Sequence, residues 1–367
     1  MIPTYDAGSI PFSGDFERFS RASVAEPLLE LIYPSDKRYF EGKVVESFID
    51  KIQTGISVPN YPQFRDMNEM FLNHINGLTK TKSGYIVTNR LSVDNRKLKI
   101  PEVSTISNHE KYIYERTGSY FNLKICVPGP YTLYSLFENR NSRLFIELGA
   151  VISKFIENTV FNGKYGKVSL VAVDEPTFGI IDDPLLDHGA AGREALLDSW
   201  EKVFQKIRSK TAQSIIHLHN TTNELFWQTK SLNIIESHVD DPLYHSRQTK
   251  VHLEHFDKTL KASVCITDFD ALINKMEKSL GVSEEKLGQS VADVWTDIRG
   301  GTINPAIFLE DVNVMSARLR KIVNNYGNRV VYAGPECGLK SYPTYESAME
   351  CLRRVNEAAK KVDVDLI

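Results

Sequence analysis

Five short apolar runs in this sequence end in residues able to bind a metal ion or carry a proton. The endings are Asp174-Glu175-Pro176, His217-Leu218-His219-Asn220, Glu236-Ser237-His238, Thr267-Asp268 and Glu336-Cys337-Gly338. One such ending would mean little, but five in succession point to a convergent polar site. His217 and His219 stand two apart, and alternate side chains of a strand share a face, so both imidazoles can address one ion. Glu236 from the next run and Cys337 from the last add a carboxylate and a thiolate. That mixed nitrogen, oxygen and sulfur set suits zinc better than magnesium or calcium. On spacing alone, two separately satisfied histidines near a strand end remain the alternative. Cys337 sits in Gly334-Pro335-Glu336-Cys337-Gly338, a shaped turn rather than an apolar run. Cys126 and Cys265 lie within apolar runs and read as core residues, and Cys351 lies in a helical pattern and reads as structural. His238, His245, His252 and His255 follow the Glu236 run and read as surface or helix polar residues, not as ligands.

The elements that must position these residues alternate in type. FNLKICVPGP (121–130), KVSLVAVDEP (167–176), SIIHLHN (214–220), LNIIESH (232–238), KASVCITDFD (261–270) and RVVYAGPECG (329–338) read as strands. Their alternation fades, as it does in parallel strands covered on both faces. Helical patterns such as Gly192–Arg208 and Tyr345–Lys361 fall between or after them, which predicts a parallel α/β sheet. A dinucleotide fold would need a glycine-rich turn after its first strand, and none is present. Gly189-Ala190-Ala191-Gly192 has no strand before it, and no phosphate-loop motif occurs. Six strand–helix units and a less regular first third therefore predict one (βα)8 TIM-type barrel over residues 1–367. Two insertions are expected, a hairpin-like excursion at 84–106 and a charged helical piece at 275–301. Such a barrel gathers the C-terminal ends of its strands at one rim, where the five polar endings fall.

Composition narrows the function classes. The chain has 367 residues, 42% of them hydrophobic and 25% charged, the balance of a globular domain. Its formal net charge of −3 argues against an extended nucleic-acid footprint. No apolar run approaches the roughly 20 residues of a membrane helix. The opening MIPTYDAGSIPF has neither a basic flank nor a long apolar stretch, and the four cysteines show no paired spacing, so a cytoplasmic enzyme with reduced thiols is expected.

The order VPGPYTL, VDEP, H-x-H, IES and GPECGLK resembles the catalytic barrel of cobalamin-independent methionine synthases. That barrel belongs to a superfamily with uroporphyrinogen decarboxylase and the zinc-dependent methyl-corrinoid:thiol methyltransferases. The likeness covers roughly Phe121 to the C-terminus, with Gly8-Ser9-Ile10-Pro11 similar to the family's first strand end. It implies a zinc ion held by His217, His219, Glu236 and Cys337, with His219 standing where the family has cysteine. Asp174 would bind the ammonium of an amino-acid acceptor, Gly8 and Ser9 its carboxylate, and Asp268 matches a family aspartate in the catalytic machinery. Tyr61 falls where a glutamate usually contacts the ammonium, and Tyr342 replaces an arginine after the CGLK motif.

The implied reaction is zinc-dependent transfer of a methyl group to a thiol, with homocysteine giving methionine as the leading case. The N-terminal half of folate-using enzymes has no counterpart here, which directs attention to a donor other than polyglutamylated methyltetrahydrofolate, such as a methyl-corrinoid protein or free methylcobalamin, with a methyl-folate as the remaining donor the resemblance implies. Two alternatives follow from the departures: another small thiol such as coenzyme M as acceptor, or a non-catalytic barrel that binds a partner in methyl transfer. A porphyrin decarboxylase should carry an arginine-rich N-terminal segment, and Met1–Ala22 offers only Arg18 and Arg21.

Overall fold

A computed structural model of the chain describes residues 2–23, 34–94 and 98–364. The expected hairpin is an antiparallel pair, β1 (Ile75–Lys80) and β2 (Tyr85–Val93), so it starts before the Gly84 boundary read from the sequence. Residues 95–97 of the expected 84–106 excursion lie outside the described ones. Six further strands form a single parallel sheet: β3 (Phe121–Pro128), β4 (Gly166–Glu175), β5 (Gln213–Leu218), β6 (Ile234–Glu236), β7 (Thr259–Cys265) and β8 (Val330–Pro335). They lie in chain order, so each strand returns beside its predecessor after an intervening crossover. The apolar runs of β3, β4 and β5 are buried almost throughout, which explains their weak alternation in the sequence.

The first third departs from the barrel expectation. Where two more strands were expected, the described residues show isolated parallel bridges, which join Thr4 to Ala333 of β8, Tyr5 to Val58, Ser9 to Gln63, and Asn60 to Lys124 of β3. The reason is local. The Thr4-Tyr5-Asp6 and Val58-Pro59-Asn60 segments are short and polar, and Pro59 has no N–H to give to a ladder. Its carbonyl still accepts from Lys124 N at 3.0 Å.

Helices cover the sheet. Helix Ser142–Thr159 packs on helix Ala191–Ser209, and Gly149 is what lets them meet, because a Cβ there would strike Ser199 Oγ. The hydroxyl of Ser199 in turn donates to Phe145 O at 2.7 Å. Helix Tyr345–Val364 packs against helix Val312–Tyr326. The expected 275–301 piece comprises the end of helix Phe269–Ser279, a 3-10 turn and helix Leu287–Arg299.

The end of β4 splits two adjacent carboxylates by strand alternation. Glu175 is fully buried and accepts from Tyr131 N at 3.0 Å, Thr132 N at 2.6 Å, Thr132 Oγ1 at 2.7 Å and Trp200 Nε1 at 2.7 Å. It thus pins the Gly129-Pro130-Tyr131-Thr132 turn to helix Ala191–Ser209. Burial pushes its carboxyl up to about 7, against the pull of those donors. The VPGPYTL and DEP motifs are therefore two halves of one structural clamp. Asp174 points the other way, into a cleft.

Candidate metal centre

The cleft has a volume of about 250 Å³ and lies at the C-terminal ends of the strands. Parallel register sets its floor, pairing Asp174 of β4 with His217 of β5 and His217 with Glu236 of β6. Ser9, Asp174, His217, His219, Glu236 and Cys337 all line it, although they come from opposite ends of the chain. Gln63, Arg65, Lys124 and Lys340 complete much of the wall.

His217, His219 and Cys337 of the cleft wall and His238, which stands behind that wall, each present one ligand atom, and these atoms lie within 4.8 Å of one another. Cys337 Sγ is 3.7 Å from His219 Nε2. The His219 and His238 rings are 4.1 Å apart by centroid, and His217 and His219 are 5.3 Å apart. Two nitrogens here are buried without a hydrogen bond: His238 Nε2, and His217 Nδ1, which faces Glu236 Oε1 at 3.2 Å. An unpartnered buried imidazole nitrogen grouped with two further imidazoles and a cysteine is the donor set a soft or borderline divalent ion takes, so the residues fit a metal.

The charges of these groups depend on one another. Burial would push the Cys337 thiol up, but His217, His219 and His238 outweigh it and hold the thiol well below its ordinary range. Burial likewise opposes a charged His217, yet Cys337 and Glu236 raise it to about 10. Burial dominates at His219 and lowers it. Asp174 is pushed up to about 6 by burial, with His217 and Lys124 pulling the other way, so it is largely ionised at neutral pH.

Glu236 is engaged elsewhere. It is 1% exposed, accepts from Tyr5 Oη at 2.8 Å and lies 3.1 Å from Lys261 Nζ through Oε2. Its other oxygen is 3.2 Å from His217 Nδ1. Burial disfavours its charge, but Lys261 and His217 outweigh burial and hold the carboxyl far below its usual range.

Four residues singled out in the sequence, His238, Glu236, Asp268 and Tyr61, stand elsewhere than the sequence pattern placed them. His238, read as a surface or helix residue, stands in the cluster, and Glu236 stands outside the four-atom group. The cause is that β6 ends at Glu236 and the chain then turns. His238 O accepts from Asp241 N at 3.1 Å, and Val239 N donates to Glu336 Oε2 at 2.9 Å. Asp268 does not line the cleft. It is exposed and caps helix Phe269–Ser279, accepting from Ala271 N at 3.1 Å. Tyr61 is fully buried, with its hydroxyl 3.4 Å from Cys126 O, and is likewise absent from the lining.

Gly8 shapes the rim rather than lining it. Its φ of +133° suits glycine, and a Cβ there would strike Asn60 Nδ2. Its carbonyl accepts from Lys51 Nζ at 2.9 Å. Sequence reasoning passed over Lys124, Arg65 and Lys340. Lys124 had a visible signal, a lysine interrupting the apolar run FNLKICVP. Arg65 pairs with Glu102 through two 2.8 Å contacts, which orient it at the cleft edge.

Comparison with known proteins bears on the fold. The sequence matches no protein-family model and no curated protein. Among solved structures, the chain is similar to a B12-independent methionine synthase from a Shewanella species, in complex with selenomethionine. The TM-score is 0.59 and the identity 15%, with 100% of this chain and 98% of that chain covered. A second similar structure, from Listeria monocytogenes, is named as a candidate vitamin-B12-independent methionine synthase. There the TM-score is 0.59 and the identity 14%, with 99% of each chain covered. At this identity the likeness concerns the fold.

Proposed function

We propose that this chain is a zinc-dependent S-methyltransferase that moves a methyl group onto the sulfur of a small thiol, homocysteine being the leading acceptor. The observation that carries the reading is the cluster of three imidazoles and Cys337, of which His217, His219 and Cys337 line a cleft that also holds Asp174 and Ser9. The names of the two similar structures, both methionine synthases of the cobalamin-independent kind, support it. The isolated bridges between β8, the first segment and β3 support a single domain closed as an eight-membered barrel.

His217, His219 and Cys337 are read as three protein ligands of the zinc. A bound zinc ion would supply positive charge that lowers the acceptor thiol's pKa, so that thiolate exists at neutral pH. The protein's own residues do the rest. Asp174, ionised at neutral pH, pairs with a cationic end of the acceptor, and Ser9 Oγ donates to an anionic end. The strand-end walls align sulfur with the methyl carbon and keep water out. The methyl carbon forms a bond to sulfur as its bond to the donor breaks, the donor keeps the bonding pair, and the thiol proton passes to solvent. The donor is a methyl-corrinoid, free or protein-bound, or a methyl-folate, and the setting is the cytoplasm. Lys340, exposed on the rim, and Arg65 favour an acceptor with an anionic terminus, so a sulfonate thiol such as coenzyme M is the second reading.

Metal analysis of the purified chain, with acceptor binding by calorimetry, tests this. Near-stoichiometric zinc that disappears in Cys337→Ser, with thiol binding only to the metal-loaded protein, is expected. Thiol binding unaffected by chelation would sink it.

A further inference from the structure

The two residues on either side of Ser237 divide the work of the metal site differently from the sequence pattern. Resting on the reading of a zinc centre, we propose that His238, not Glu236, completes the protein ligand set with His217, His219 and Cys337. Glu236 is then a positioning residue that orients His217 through its Nδ1.

The first ground is distance. The ligand atoms of the two other histidines, His238 and Cys337 fall within 4.8 Å of one another, and Glu236 has no place in that group. For a tetrahedral zinc with Zn–N of about 2.1 Å and Zn–S of about 2.3 Å, a nitrogen–sulfur edge is roughly 3.6 Å. The His219–Cys337 edge is already 3.7 Å. The second ground is satisfaction. His238 Nε2 is buried without a partner, whereas Glu236 Oε2 already has Tyr5 and Lys261. Lys261 is itself fixed, its Nζ lying 3.2 Å from Ser263 Oγ and donating to Pro335 O. Were Glu236 to give its charge to zinc, a lysine 2% exposed would face a dication with no counter-charge of its own. The third ground is the Glu236 Oε1 to His217 Nδ1 separation of 3.2 Å. A carboxylate on the far nitrogen of a ligating imidazole fixes its tautomer and ring orientation, a recurrent arrangement around zinc. The resulting set of three imidazoles and one thiolate carries formal charge −1.

The test uses the full chain loaded with zinc for X-ray absorption and with cobalt(II) for visible spectra. Wild type should show about three nitrogen neighbours and one sulfur. His238→Ala should lose at least about tenfold in metal affinity and change the cobalt spectrum. Glu236→Gln should keep the spectrum and stoichiometry but bind metal about 10- to 100-fold more weakly. Because Glu236→Gln strands Lys261, the double variant Glu236→Gln/Lys261→Met is the folded control and should show the same spectrum. A cobalt spectrum changed by Glu236→Gln and unchanged by His238→Ala would overturn the assignment, as would a wild-type chain that binds no metal. A three-nitrogen, one-sulfur centre that methylates no thiol would leave this assignment standing and remove the functional reading instead.

Discussion

Replacing Lys51 with methionine should destabilise the protein through the rim turn that carries Ser9. Lys51 is 0% exposed and its Nζ lies 2.7 Å from Asp6 Oδ2, itself 2% exposed. It also donates to Gly8 O at 2.9 Å and to Asn60 O at 3.3 Å. Methionine keeps the length and apolar stem but strands a buried carboxylate. Removing one partner of such a pair costs about 3–5 kcal/mol. With an unfolding entropy of about 2.1 cal/mol/K per residue over the whole chain, that corresponds to a melting point lowered by roughly 4–6 °C. Adding Asp6→Asn should restore more than half of the loss. The asparagine Oδ1 can still accept from Asn60 N, now 2.7 Å from Asp6 Oδ1, and no unpaired charge is left. Scanning calorimetry at neutral pH measures both. A Lys51→Met melting point within about 1 °C of wild type, or a double variant no better than the single, would refute the reasoning.

Further outcomes follow from other close contacts. Gly129→Ala places a Cβ against Glu175 Cδ and should cost about 1–3 kcal/mol in urea unfolding. Asp174→Asn should weaken binding of an amino-acid thiol by roughly tenfold or more, the worth of a charge-assisted hydrogen bond, with zinc content unchanged. Equal affinity would remove Asp174 as the ammonium partner. Glu310 accepts from Ile266 N at 2.9 Å and Arg318 at 2.9 and 3.0 Å. Burial alone would raise its carboxyl, but those partners hold it below 4.5. Its stabilisation is therefore complete above the unfolded value and lost as pH falls through the lowered one, so Glu310→Gln should flatten the acid limb of stability.

What could be read from the sequence follows from how regular each segment is. β4 and β5 were legible because long β-branched runs end abruptly in DEP and H-x-H, and parallel register then sets Asp174, His217 and Glu236 in one row. The first third was not, because Thr4, Tyr5, Val58 and Asn60 form single bridges with no run long enough to show a period. His238 reads as a surface residue because the apolar run ends at Glu236, while the turn pinned by Glu336 carries the chain one step further. Asp268 caps helix Phe269–Ser279 outside the cleft lining, and an aspartate opening a helical pattern is an ordinary N-cap signal. Tyr61 is buried away from the cleft lining, since a position matched along a motif says nothing of the side chain's direction.

The most direct measurement is transfer itself. Zinc-loaded protein is incubated with a deuteromethyl donor, either methylcobalamin or methyltetrahydrofolate, and a panel of small thiols including homocysteine and coenzyme M, and thioethers are read by mass spectrometry. A deuteromethyl thioether that forms with zinc and vanishes on chelation and in Cys337→Ser is the predicted result. Folded, fully zinc-loaded protein that yields no labelled thioether from any pair would contradict the assignment of this cleft to thiol methylation.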